Sequence, residues 1–145
     1  MAEGLLKSLL SPQALARTRV TSAGTGALAG LPASDHAITV CAEEGVDIAA
    51  HRSTPLTVPL IEESDLLLAM EAHHRTTVTR IVPEAAAKAH LLGAYAAPGT
   101  GKDGVDDPIG GDIEAYRDTF RIIQQLITKA LPRLEQEILG PNGER

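Results

Sequence analysis

The sequence predicts an α/β fold built on a parallel sheet, and three observations carry that prediction. Short apolar segments of strand length alternate with helical segments. One of them, Leu66-Leu67-Leu68-Ala69, is apolar without alternation, the pattern of a strand covered on both faces. The C-terminal part carries a long amphipathic helix that docks on the core, because Ile113, Tyr116, Phe120, Ile123, Ile127, Ala130 and Leu134 recur at three- and four-residue steps.

Taken in order, Met1 to Leu10 carries Leu5, Leu6, Leu9 and Leu10, a one-sided helical stripe. Ser11-Pro12 ends it, since the residue before a proline leaves the helical region. Arg19-Val20-Thr21 reads as a short strand, broken by Gly24 and Gly26. Ser34 to Glu44 reads as a helix with Gly45 as its stop. His51 to Thr57 is loop, and Thr57 caps a short helix around Leu60 and Ile61, with Pro59 tolerated in its first turn. Asp65 to Met70 is the apolar strand, and Glu71 to Val82 a helix that stops before Pro83. Ala89 to Leu92 is a further short strand. Ala96 to Gly111, rich in glycine and aspartate, is a long surface loop. Asp112 is a natural N-cap for the last helix, which Pro132 is expected to kink or to end near Leu131. The result is a single domain over residues 1–140 with a tail at 141–145. Its three strands are short, and the chain opens in a helix where small parallel α/β domains open in a strand.

Composition narrows the function classes. The apolar share of the 145 residues is enough for a core. A net charge of −6 argues against nucleic acid and against anionic membrane surfaces, both of which call for a basic patch. An anionic substrate stays open, because a phosphate site depends on local N–H groups and one or two cations. The single cysteine, Cys41, rules out an internal disulfide and fits a reducing, cytoplasmic setting. No apolar run spans a bilayer, and Met1–Leu10 lacks the length and basic flank of a signal peptide.

Several motif-like fragments carry little. Gly99-Thr100-Gly101-Lys102 hints at a nucleotide loop, but Asp103 stands where a Ser or Thr would hold magnesium. Gly24 and Gly26 lack the third glycine of a dinucleotide loop. His73 and His74 are neighbours on a helix, diverge by about 100°, and are not expected to share a metal. No cofactor and no metal are expected.

A larger set of segments does combine. Met1-Ala2-Glu3-Gly4-Leu5-Leu6, Ser22-Ala23-Gly24-Thr25, Gly30-Leu31-Pro32-Ala33, Glu44-Gly45-Val46-Asp47-Ile48, His51-Arg52-Ser53, Asp65 to Met70, and Val105-Asp106-Asp107-Pro108 with Gly110-Gly111 stand in the order and spacing of one family. Together they resemble low-molecular-weight protein-tyrosine phosphatases over nearly the whole chain. The pattern Asp107 to Gly111 with Glu114, Tyr116 and Thr119 is similar to the bacterial branch that includes protein-arginine phosphatases. The resemblance implies a three-layer α/β fold with a parallel four-stranded sheet of the phosphotyrosine protein phosphatase I type. It also implies phosphomonoester hydrolysis through a cysteinyl-phosphate, acting on a phosphorylated protein or a small phosphomonoester.

In that family the segment before Met-Ala-Glu holds the first, central strand and a Cys-x-Gly-Asn-x-Cys-Arg-Ser-Pro loop, which supplies the nucleophile and the phosphate-clamping arginine. The present sequence starts after that proline, so it is expected to lack this strand and loop and to be inactive as it stands. Cys41 does not replace the nucleophile: Asp47 stands six positions on, where an arginine is needed, and the surrounding Ala37, Val40 and Ala42 mark a buried mid-helix position. By the same resemblance Asp107 is the general acid and base, and Ser22 and His51 support the catalytic loop. Unpaired inner strand edges would then favour an edge-pairing homo-oligomer of marginal stability. A non-catalytic binding remnant is the competing reading. An arsenate reductase is disfavoured because no cysteines lie between Leu92 and Asp107.

Overall fold

Two strands, β1 (Leu67–Ala69) and β2 (Ala89–Leu91), pair in parallel with Leu67 opposite Ala89 and Ala69 opposite Leu91. These observations come from a computed structural model that describes residues 1–99 and 104–141. Five shorter helices surround the pair: α1 (Ala2–Leu9), α2 (Pro12–Arg17), α3 (Asp35–Glu43), α4 (Val58–Glu63) and α5 (Ala72–Ile81). A 3₁₀ turn (Pro83–Ala87) leads from α5 into β2, which passes directly into α6 (Leu92–Ala96), and α7 (Ile113–Leu139) closes the chain.

The alternation of side chains along β1 sorts the molecule into three layers. Leu68 packs into the larger core, formed by Leu5 of α1, Val40 and Cys41 of α3, and Phe120, Ile123 and Ile127 of α7. Leu67 faces the other way, into a smaller cluster of Ile61 from α4, Val78 and Val82 from the α5 region, and Ala89. Phe120 and Ile61 are almost wholly buried. Side chains of that size contribute about 1.5–3 kcal/mol each by burial, which makes the two clusters the main holders of the layers.

Local chemistry sets the helix ends. Ser34 accepts from the Ala37 N–H at 3.3 Å to start α3, and Gly45, at φ +75°, ends that helix in the left-handed conformation glycine tolerates. Thr57 starts α4 by accepting from the Leu60 N–H at 3.4 Å, and Asp112 starts α7 through the Ala115 N–H at 2.9 Å. Ser11 does end α1, with an extended backbone before Pro12, and it also caps α2, a helix the sequence reading passed over. The Ser11 N–H donates to Glu135 at 2.7 Å and Arg17 donates to the Leu139 carbonyl at 3.4 Å, fastening α2 to the C-terminal end of α7.

Three expectations need correction. Arg19-Val20-Thr21 is not a strand, and the sheet has two strands where the sequence reading placed three. A strand exists by its ladder, and no backbone hydrogen bond among the described residues reaches Arg19–Ala23. Pro132 lies inside α7, which runs on to Leu139. The buried stripe of Ile127, Ala130 and Leu134 continues past it, so packing outweighs the lost hydrogen bond. The stretch read as loop from Ala96 is preceded by α6, whose Tyr95 packs on Ala130 and Leu134. Thr100 to Asp103, part of the loop considered for nucleotide binding, and residues 142–145 of the tail lie outside the described residues. No described helix is long and apolar enough to cross a membrane.

Candidate active site

The loop carrying Asp107 begins where β1 ends. The Val105 N–H donates to the Met70 carbonyl at 2.7 Å, and Val105 is buried in the larger core, so the loop is pinned to the carboxyl end of the strand. Beyond this anchor Asp106 and Asp107 are exposed. The Asp107 carboxylate accepts from the Ile109 N–H at 3.0 Å, and the Gly111 N–H closes a turn onto the Pro108 carbonyl at 2.9 Å. Gly110 takes φ +80° in that turn, a conformation that excludes most side chains. The loop then enters α7 through Asp112. One Asp107 oxygen is used to shape the turn, and the exposed carboxylate keeps acceptor capacity for a ligand.

Ser22 and His51 meet on one residue that the sequence reading did not single out, Glu3 in the first turn of α1. The Ser22 hydroxyl donates to Glu3 Oε2, His51 Nδ1 lies 3.6 Å from the same oxygen, and Lys7 Nζ donates to Oε1 at 2.8 Å. Partial burial pushes the Glu3 carboxyl up, and the hydrogen bonds from Lys7 and Ser22, with the charges of Lys7 and His51, outweigh it and hold the group below the ordinary carboxylate range. The signal for Glu3 was its place as an acidic residue in a helix's first turn.

The segment after Ser22 is tied to the loop after His51. The Gly24 N–H donates to the Thr54 carbonyl at 2.9 Å and the Leu56 N–H to the Gly24 carbonyl at 3.0 Å, which gives an isolated parallel bridge between Gly24 and Pro55. Ser53 accepts at its hydroxyl from the Leu31 N–H at 2.9 Å and donates that hydroxyl to the Leu28 carbonyl. Ser22, Glu3 and Asp107 line one cavity of about 1070 Å³ that extends from this end of the molecule along β1.

Cys41 lies in the core, wholly buried on α3, as its neighbours foretold. Burial pushes its thiol up, with the charge of the amino terminus opposing, so it is held in the un-nucleophilic form. His73 and His74 do not diverge as helix spacing implied: their ring centroids are 4.1 Å apart. The cause is a capping box in which His74 Nδ1 accepts from the Glu71 N–H at 3.2 Å and so folds back over the first turn of α5. Ligand atoms of Glu71, His73 and His74 lie within 4.8 Å of one another, although the capping bond already occupies one His74 nitrogen.

Residues 1–139 match the family described as low molecular weight phosphotyrosine protein phosphatase. The chain belongs to that family. A probable low molecular weight protein-tyrosine-phosphatase of Ralstonia solanacearum, EpsP, is 33% identical over 134 residues, covering 92% of this chain and 86% of the relative. A protein-arginine-phosphatase of Geobacillus stearothermophilus is 36% identical over 131 residues, covering 90% and 86%. The solved YwlE arginine phosphatase of Geobacillus stearothermophilus superposes with a TM-score of 0.86 at 33% identity, covering 97% of this chain and 87% of the other. The α/β architecture is therefore the low-molecular-weight phosphatase fold, and members of the family are protein phosphatases that act on phosphorylated substrates.

Proposed function

We propose that this chain supplies the acid–base and supporting parts of a low-molecular-weight phosphatase site, with Asp107 as the proton donor and acceptor and the Ser22–Glu3–His51 cluster as the support. The observation that carries the reading is that Asp107, on a loop pinned to the end of β1, lines the same cavity as Ser22 and Glu3. In hydrolysis through a thiol, a protonated Asp107 gives its proton to the leaving oxygen as the phosphorus–oxygen bond breaks. The resulting carboxylate then takes a proton from the water that attacks the cysteinyl-phosphate. The 145 residues do not complete that route alone. Their one thiol, Cys41, is buried, and Asp47, not an arginine, stands six positions after it.

The test joins a strand and a Cys-x5-Arg loop of the family pattern ahead of Met1 and measures turnover. Asp107→Asn should then lower kcat on phenyl phosphate by about 10²–10⁴-fold, and by less on p-nitrophenyl phosphate, whose leaving group needs little protonation. An equal loss on both substrates, or none, refutes the role of Asp107.

A second reading, that the phosphorylated group is arginine, is favoured by the loop itself. Ile109, 78% exposed, follows Pro108, so the acid loop presents an aliphatic side chain and no ring to stack on a phosphotyrosine. Relative turnover of phosphoarginine and phosphotyrosine peptides by the completed protein separates the two.

A further inference from the structure

Glu71, His73 and His74 bring three potential metal donors to the start of α5, and the acid–base chemistry assigned to Asp107 uses none of them. Consecutive helical side chains point about 100° apart, so two imidazoles in a row ordinarily do not meet. Here they do: the ring centroids are 4.1 Å apart, with the planes inclined at 52°. The cause is the capping box, in which the Glu71 carboxylate accepts from the His74 N–H and His74 Nδ1 accepts from the Glu71 N–H at 3.2 Å. His73 Nδ1 in turn stands 3.5 Å from Glu71 Oε2.

These separations approach what a transition-metal ion requires. Donors about 2.1 Å from a tetrahedral ion lie about 3.4 Å from one another. The Glu71–His73 pair already stands near that spacing, and the ligand atoms of all three residues lie within 4.8 Å of one another. Rotation of His73, whose side chain is 65% exposed, closes the remainder without moving a core residue. Charge is available as well. The positive end of the α5 dipole opposes a cation by only a few-fold, and the Glu71 carboxylate offsets it. Arg75, the nearest cation along the helix, is engaged elsewhere: its guanidinium donates to the Ala89 carbonyl at 2.7 Å and to the Ala86 carbonyl at 3.2 Å.

We propose that Glu71, His73 and His74 form a site for one divalent transition-metal ion of the zinc type, with a fourth position left to water. Two imidazoles and one carboxylate suit zinc; magnesium and calcium take oxygen donors. The site is coupled to the start of α5. In a neutral imidazole one nitrogen holds the proton and the other a lone pair. When His74 takes the ion, its Nδ1 either binds it or carries the proton, and in both cases it no longer accepts the Glu71 N–H. Binding therefore releases one bond of the capping box, which weakens the site about tenfold relative to the same donors without that bond. The inference stands apart from the role of Asp107, whose failure leaves it intact.

The experiment titrates zinc chloride into the whole chain by calorimetry, at neutral pH in a non-coordinating buffer, with magnesium chloride as the comparison. His73→Ala removes an exposed ring and Glu71→Gln keeps a capping acceptor, so both variants should fold. The expected result is saturable binding of one zinc ion per chain and none of magnesium. His73→Ala and Glu71→Gln should each weaken it at least about tenfold, whereas His36→Gln and His90→Gln, which remove imidazoles elsewhere, should leave it unchanged. Hydrogen exchange at the Glu71 amide should speed up when zinc is bound. No saturable binding, which would leave His73 as an ion-pair partner of Glu71 only, overturns the proposal. So does a smaller weakening in either variant, a loss in His36→Gln or His90→Gln, equal binding of magnesium, or a Glu71 amide that exchanges no faster with zinc.

Discussion

Glu3 is the hinge of the candidate site's support, and removing it has a calculable effect. Its carboxylate receives the Ser22 hydroxyl on one oxygen and Lys7 on the other, with His51 Nδ1 at 3.6 Å, and its side chain is 18% exposed. A hydrogen bond to a charged group contributes about 1.5–3 kcal/mol when dry, and partial exposure puts the Ser22 bond near ~1 kcal/mol. The Lys7 pair, four residues along an exposed helix face, adds about 0.3–0.5 kcal/mol. A carboxylate in a helix's first turn adds a similar amount. Glu3→Ala should therefore cost ~2 kcal/mol, Ser22→Ala ~1 kcal/mol, and the double variant less than their sum by ~1 kcal/mol. Urea unfolding of the four proteins gives the coupling. The sign with pH follows from the direction of the Glu3 shift. Its folded value is depressed, so its contribution is present above the ordinary value of 4.5 and is lost as pH falls through the folded value. The gap between the native protein and Glu3→Gln should close on acidification. A coupling under about 0.3 kcal/mol, or a gap that widens in acid, refutes the cluster as a unit.

Other consequences are as specific. A Cβ at Gly4 would stand 2.6 Å from Ile48 Cγ2 and 3.1 Å from Val46 Cγ1, so Gly4→Ala should lower the melting temperature despite its better helix propensity, with an overpacking cost of about 1–3 kcal/mol. Pro132→Ala should restore a hydrogen bond inside α7 and stabilise the protein by up to about 3 kcal/mol; a loss of stability in thermal unfolding would show that the ring itself is packed. Burial, with the Glu137 carboxylate nearby, pushes the Tyr95 phenol up to about 12. Its neutral form is thus favoured on folding, so this contribution is full below the ordinary value of 10.0 and fades as pH rises toward 12. Tyr95→Phe should unfold at higher pH than the native protein in alkaline titrations.

The longer helices were legible because their signals are local, whereas the short α2 and α6 were not. Caps at Thr57 and Asp112, the stop at Gly45, and the stripe from Ile113 to Leu134 each need only a few neighbouring residues. The apolar run at Leu66–Ala69 was equally plain, since a two-face-covered strand advertises itself in composition. Arg19–Thr21 failed as a strand for the opposite reason: β-propensity is local, but a ladder needs a partner elsewhere in the chain. Pro132 does not end α7 near Leu131, because tertiary packing of one helix face carries the helix past it. At the site, Ser22, His51 and Asp107 were named by resemblance, whereas Glu3, which joins two of them, emerges only once α1 is folded against the Ser22 segment.

The account turns on whether these residues hold a phosphatase scaffold whose own thiol is out of play. The most direct measurement is hydrolysis of p-nitrophenyl phosphate by the purified 145-residue chain beside its Cys41→Ser and Asp107→Ala variants. The account predicts no turnover above buffer in any of the three. Turnover by the native chain that vanishes in Cys41→Ser would contradict it.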